Sequence, residues 1–150
     1  MPNWCEGTLK IRGEKEDIIN FLKNGITPIG YFGDTAEPEI EETEYHTMVK
    51  TEKGGFYLEG TRRGFIEESS IWYEYDRDVL AVEYKQAWGL DPEQLRAISE
   101  KFNIDLKIYA FEKGMEFNEH VEIHKGVIVK DEEIKFDDYD WECPCPNIGG

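Results

Sequence analysis

The sequence predicts an α+β fold of the split-βαβ kind: an antiparallel sheet with two helices on one face, extra C-terminal strands and an irregular insertion. Three observations predict it. Apolar residues alternate at strand period in several short runs, they recur at helical spacing in two places, and the runs follow one another in the order β-α-β-β-α-β. At 150 residues, 39% of them hydrophobic, the chain can bury a core without disulfide or metal staples. One domain over residues 1–150 is expected, with an insertion at 27–55 and an acidic C-terminal extension at 131–150.

Residues 4–12 alternate, with Leu9 and Ile11 on one face, and Gly13 closes the strand. A helix follows. Glu14, Glu16 and Asp17 suit the positive end of a helix dipole, Ile18, Phe21 and Leu22 fall at i, i+3 and i+4, and Gly25 is a natural stop. Residues 27–55 differ in kind: Pro28, Gly30, Gly33, Pro38, Gly54 and Gly55 punctuate an acidic run, with a short strand expected near Tyr45–Val49.

Phe56–Glu59 read as a strand, and Ser70–Tyr75 with Val79–Ala87 read as a hairpin turning at Asp76-Arg77-Asp78. Asp91 as N-cap, Pro92 at the first helical position, Glu93 in the first turn and Gln94 as partner of a capping box open a second helix. Its buried stripe is Leu95, Ile98 and Phe102. Ile104–Phe111 alternate with Ile104, Leu106, Ile108 and Ala110 on one face. Met115–Ile123 do so with Met115, Phe117, Val121 and Ile123. Gly126 turns the chain into Val127, Ile128 and Val129, and an acidic, aromatic and finally Pro/Gly-rich tail is expected to lie at the periphery, with Phe136, Tyr139 and Trp141 available to pin it.

Charge narrows the function. Seventeen basic residues against 33 acidic ones give a net charge of −16, about twice the magnitude of roughly 8 that is ample for the solubility of a small domain. Such a field repels nucleic-acid backbones and anionic membranes and attracts basic protein surfaces. Direct nucleic-acid binding therefore starts with a penalty. The excess is uneven: residues 37–55 hold six acids against two bases, and 116–150 hold ten against three. The start of the chain has neither a basic nor an apolar leader-like stretch, and no apolar run approaches the roughly 20 residues of a membrane span, so the cytoplasm is the expected compartment.

Two stretches resemble the YubB ferredoxin-like family, proteins of unknown function common on phages, prophages and plasmids. Met1-Pro2-Asn3-Trp4-Cys5, followed by a strand, Gly13 and a helix, matches the family's opening. Val82-Glu83-Tyr84-Lys85-Gln86-Ala87-Trp88, the helix at Pro92, and Tyr109, Glu112, Gly114 and Phe117 match its second half. The family's Trp-Gly-Thr-Lys-Trp segment has only a loose counterpart at Ile71-Trp72-Tyr73-Glu74-Tyr75. The resemblance implies a ferredoxin-like fold and a mobile-element setting, and carries no catalytic residues with it.

Cys5, Cys143 and Cys145 with His120 and His124 suggest zinc, but on one strand the two histidines stand about 13 Å apart, too far to share a metal easily. No metal and no cofactor are expected. Cys5 reads as a buried small hydrophobe without an activating base. Arg62-Arg63 near Tyr57, Trp72 and Tyr84 would suit a nucleic-acid stacking platform, against which the net charge counts. The chain has no Gly-x-Ser-x-Gly, P-loop or Gly-x-Gly-x-x-Gly motif, and no catalytic residue is assigned.

The remaining expectation is a non-enzymatic interaction protein of a phage or other mobile element. It would be an acidic nucleic-acid mimic that inhibits a host defence or DNA-handling protein by occupying its basic surface. The expected partner-binding residues are Glu37, Glu39, Glu41, Glu42 and Glu44 in the insertion, and Asp131, Glu132, Glu133, Asp137, Asp138, Asp140, Trp141 and Glu142 in the extension. The alternatives are a nucleic-acid-binding accessory domain and an enzyme without a recognised motif.

Overall fold

The structure, a computed structural model, describes residues 1–30 and 37–150; Gly33 of the insertion lies outside the described residues. The strands are β1 (Trp4–Arg12), β2 (Ile26–Pro28), β3 (Glu39–Glu42), β4 (His46–Lys50), β5 (Phe56–Leu58), β6 (Gly64–Ile66), β7 (Ser70–Glu74), β8 (Leu80–Ala87), β9 (Asp105–Glu112), β10 (Phe117–His124) and β11 (Val127–Lys135). The helices are α1 (Lys15–Asn24), α2 (Pro92–Phe102) and the single turn α3 (Tyr139–Glu142). An eight-stranded antiparallel sheet runs β11-β10-β9-β1-β8-β6-β5-β2, and a three-stranded sheet runs β3-β4-β7.

This corrects the α+β expectation. The fold is mainly β, 45% strand against 17% helix, and is not a two-helix ferredoxin-like domain. The reason lies in the short strands. A three-residue strand such as β2 or β6 shows no alternation long enough to read, and Pro and Gly nearby suggest loop, whereas β5 forms where Phe56–Glu59 predict a strand. The insertion holds β4, close to the strand expected near Tyr45–Val49, and also β3, where only an irregular acidic run is expected; the two pair in register from Glu39 opposite Lys50 to Glu42 opposite Thr47.

The expected hairpin at Asp76-Arg77-Asp78 is also corrected. β7 pairs with β4 in the small sheet, while β8 pairs with β1 and β6 in the large one, so the chain changes sheets between them.

β1 lies inside the large sheet, paired with β8 on one side and β9 on the other, and buries Cys5, Leu9 and Ile11. Ile104, Leu106, Ile108 and Ala110 face the same way from and beside β9, as their alternation predicts. Against this face lie α1, through Ile18, Phe21 and Leu22, and α2, through Leu95, Ile98 and Phe102. The rings of Phe21 and Phe102 meet edge to face at 5.6 Å. Val49, Ile71 and Tyr73 of the small sheet join the same hydrophobic cluster.

The cap of α2 forms as its sequence predicts, with Asp91 accepting from the Gln94 N–H at 3.1 Å. The return half of the capping box does not. The Gln94 carbonyl instead accepts from the Arg62 N–H at 2.9 Å and the Gln86 amide at 3.3 Å, while buried Gln86 accepts from the Asp91 N–H at 3.3 Å. At the other end Asn103 takes the left-handed conformation, φ 56°, and buried Ser99 donates to the Ile104 carbonyl at 2.5 Å and accepts from the Gly126 N–H at 2.9 Å. One hydroxyl thus ties α2, the entry to β9 and the β10–β11 turn.

The tail is not peripheral. Tyr139 is buried and donates to buried Asn118 at 3.0 Å, Cys143 is buried beside it, and the Gly150 N–H donates to the Trp4 carbonyl at 2.9 Å. The segment therefore straps the face of the large sheet opposite α1 and α2. Among the described residues no helix is long and apolar enough to cross a membrane.

Candidate functional site

The expected acidic surface is divided. Glu37 precedes β3, Glu39, Glu41 and Glu42 lie on it, and Glu44 follows; all five are exposed. Their charge is partly met. Lys23 bridges Glu42 at 2.6 Å, His46 lies 3.5 Å from Glu41, and Lys50 stands opposite Glu39.

The second acidic stretch is elsewhere. Glu42 is tied to the last turn of α1, which leads into β2, whereas Asp131, Glu132 and Glu133 lie on β11, at the opposite edge of the eight-stranded sheet. Seven interstrand spacings separate β2 from β11, roughly 34 Å at about 4.8 Å each. The structure does not bring the two stretches together.

The β11 end is the more concentrated. β11 pairs only with β10 and its other edge is open among the described residues. The register sets Asp131 opposite Val121 and Glu133 opposite Glu119, so these three acids face the α2 side, while Glu132 opposite His120 faces the other. Asp137, Asp138, Asp140 and Glu142 follow in the tail, all exposed, with Lys135 at 3.9 Å from Glu133.

Two of these acids have structural work. Asp138 caps α3 by accepting from the Trp141 N–H at 3.4 Å, and Glu142 accepts from the Asp138 N–H at 2.8 Å. Phe136 and Tyr139 pack edge to face at 5.4 Å. Trp141, flanked in the chain by Asp140 and Glu142, is left 86% exposed.

Sequence reasoning passed over Glu119. It occupies the core-facing side of β10 between Phe117 and Val121 and accepts from the Leu90 N–H at 2.8 Å. Burial pushes its carboxyl up to about 7; the Leu90 bond opposes this, and Glu133, Asp131 and Glu112 add to it. The signal was an acid at a period-2 position in an otherwise apolar series. Glu112, fully buried, accepts from the Gly114 N–H at 2.6 Å and the Met115 N–H at 2.9 Å.

The cysteine and histidine constellation is dispersed. Cys5 is buried on the helix side, Cys143 lies under the tail on the other face, and Cys145 is exposed. Burial above all raises the Cys5 thiol, so it is a poor nucleophile. Among the described residues no three His, Cys, Asp or Glu side chains gather to hold a metal ion.

The expected stacking platform does not form as drawn, since Tyr84 is buried and Trp72 stacks on His46 at 3.9 Å in the small sheet. Tyr57 instead meets Phe65 at 5.8 Å and Phe65 meets Trp4 at 6.0 Å, with Lys85 at 4.5 Å and Arg63 at 5.6 Å over the Trp4 ring.

On the same helix-free face, between β8 and the C-terminal strap, lies a groove of about 500 Å³ over β1 and β9, with Lys10, Lys107, Tyr109, His120 and Ile148 in its lining. Comparison of the chain with protein-family models, curated proteins and solved structures finds no match.

Proposed function

We propose that this protein is a non-enzymatic interaction module whose acidic β11 end occupies a basic surface on another protein, in the place a nucleic acid would take. In the mobile-element setting that the sequence resemblance implies, the target is a host defence or DNA-handling protein. The observation that carries the reading is Trp141, 86% exposed between Asp140 and Glu142, with Asp137 and Asp138 just before it, in the turn that follows the open-edged acidic strand β11. Exposed tryptophan supplies anchoring area that charge alone lacks, and the carboxylates supply attraction at long range. The opposite end, with Glu41 and Glu42 next to His46 and Lys23, contributes less.

The test is affinity capture from host lysate at low and high salt. Wild type is compared with Asp131→Asn/Glu133→Gln/Asp137→Asn/Asp140→Asn and, separately, with Trp141→Ala. A specific partner whose capture falls steeply with salt and is lost in both variants supports the reading. A partner captured equally by wild type and both variants, at any salt, overturns it.

A further inference from the structure

The groove on the helix-free face has features that the acidic end does not explain. Lys10 and Lys107 stand directly opposite each other in the β1–β9 register. Like charges so placed destabilise a strand pair, and an anion between them reverses the sign. Lys107 is met on its far side by Glu122 at 3.1 Å, while among the described residues no carboxylate bridges Lys10.

One rung along, the register sets Tyr109 between Thr8 and His120. The Tyr109 ring lies 5.2 Å from Phe111 and 5.4 Å from His120, and its hydroxyl is held by the Asn118 amide at 3.1 Å. Burial, Lys130 and Lys107 hold His120 below its ordinary range, so at neutral pH it is an uncharged ring. Ile148 of the strap supplies an apolar wall. On the same rung Glu83, opposite Thr8 and already accepting from its hydroxyl at 3.1 Å, presents an acceptor on the β8 side, and Glu6 stands one rung further from the lysines.

Adjacent same-face rungs are about 6.8 Å apart, comparable with the reach from phosphate to base in a nucleotide. We propose that this groove binds a nucleoside 5′-monophosphate, with the phosphate between Lys10 and Lys107, the base against Tyr109 and His120, and the ribose hydroxyls toward Glu83. The volume suits a ligand of that size. Of Asp131, Glu132 and Glu133 only Glu132, opposite His120, shares this face, and it stands two strand spacings and one rung from Lys107, roughly 12 Å, beyond a Debye length of about 8 Å at physiological salt. A continuing strand is disfavoured, because Glu6, Glu67 and Glu83 line the path a second phosphate would take.

The test is calorimetric titration of the full chain with adenosine 5′-monophosphate, adenosine, inorganic phosphate and a pentanucleotide, folding of each variant being checked by thermal melt. Saturable binding of the monophosphate, weakened at least about fivefold by loss of its phosphate, by Lys10→Gln or by Tyr109→Leu, and unchanged in Lys113→Gln, is expected. Absence of binding up to about 5 mM, equal affinity for adenosine or for inorganic phosphate, or equal affinity in Lys10→Gln overturns the proposal. Binding of the pentanucleotide about tenfold tighter than the monomer overturns it in favour of a strand ligand.

Discussion

Glu119 shows how one side chain sets a pH dependence. Its carboxyl, ordinarily near 4.5, is raised to about 7 in the folded chain, mainly by burial. Between those values the folded state holds a proton that the unfolded chain has released. Stability therefore falls as pH rises through that window and levels off above it. Glu119→Gln keeps an acceptor for the Leu90 N–H and removes the charge. Thermal melts are expected to show a higher Tm for the variant at pH 8, near parity at pH 4, and a shift of about 3 °C for each kcal/mol recovered. A variant no more stable at pH 8 would contradict this. The cysteines differ as sharply, since only Cys145 is exposed. A thiol reagent is expected to label one site in the native protein, and Cys145→Ser to abolish that labelling; fast labelling of Cys5 or Cys143 would contradict the burial. Cys5 was legible as a core residue, because an apolar alternating strand surrounds it. The role of Asn118 was not, because nothing local in the sequence says that Tyr139 and Cys143 return to cover it.

Among elements, α2 was the most legible, since its cap, first-turn proline and apolar stripe are all local signals. Its junctions were not. Gln86 and Gln94 bind groups brought from β8 and the segment before β6, and Ser99 binds across to the β10–β11 turn. Asp91→Ala is expected to cost about 1 kcal/mol through the lost cap. Ser99→Ala should cost about 1–3 kcal/mol, because the Gly126 N–H loses its acceptor while the Ile104 carbonyl loses a donor. Chemical denaturation measures both, and Ser99→Ala should be the larger. The strands divide in the same way: β1, β9 and β10 are eight or nine residues long and readable from alternation, whereas β2 and β6 have three residues each and become strands only by pairing; β5, equally short, is readable through the strand-forming Phe56, Tyr57 and Leu58.

At the scale of the whole molecule, 11 of the 16 net negative charges fall in two stretches at opposite ends rather than in one field. Neutralising Glu39, Glu41 and Glu44 is therefore expected to leave capture of a β11-bound partner within about twofold of wild type, since the two ends are separated by several Debye lengths. Equal loss from neutralising either end would mean that one partner spans both. The C-terminal strap crosses from the β10–β11 side to Trp4. Tyr139→Phe is expected to destabilise the fold by about 1 kcal/mol through loss of its bond to Asn118, detectable by denaturant titration.

Net charge, its placement along the chain, the two longer helices and the longer alternating strands could all be read from the amino-acid order alone. All of these are set by residue type or by spacing within one segment. Contacts between distant segments are what put β7 and β8 in different sheets, pair β4 of the insertion with β3 and β7, set the acidic stretches at opposite ends, and bring Lys10 to face Lys107 beside Tyr109. Strand partnership and cross-strand register depend on backbone groups from distant parts of the chain finding one another. Every residue carries the same backbone donor and acceptor, apart from proline's missing N–H, so local sequence cannot name the partner.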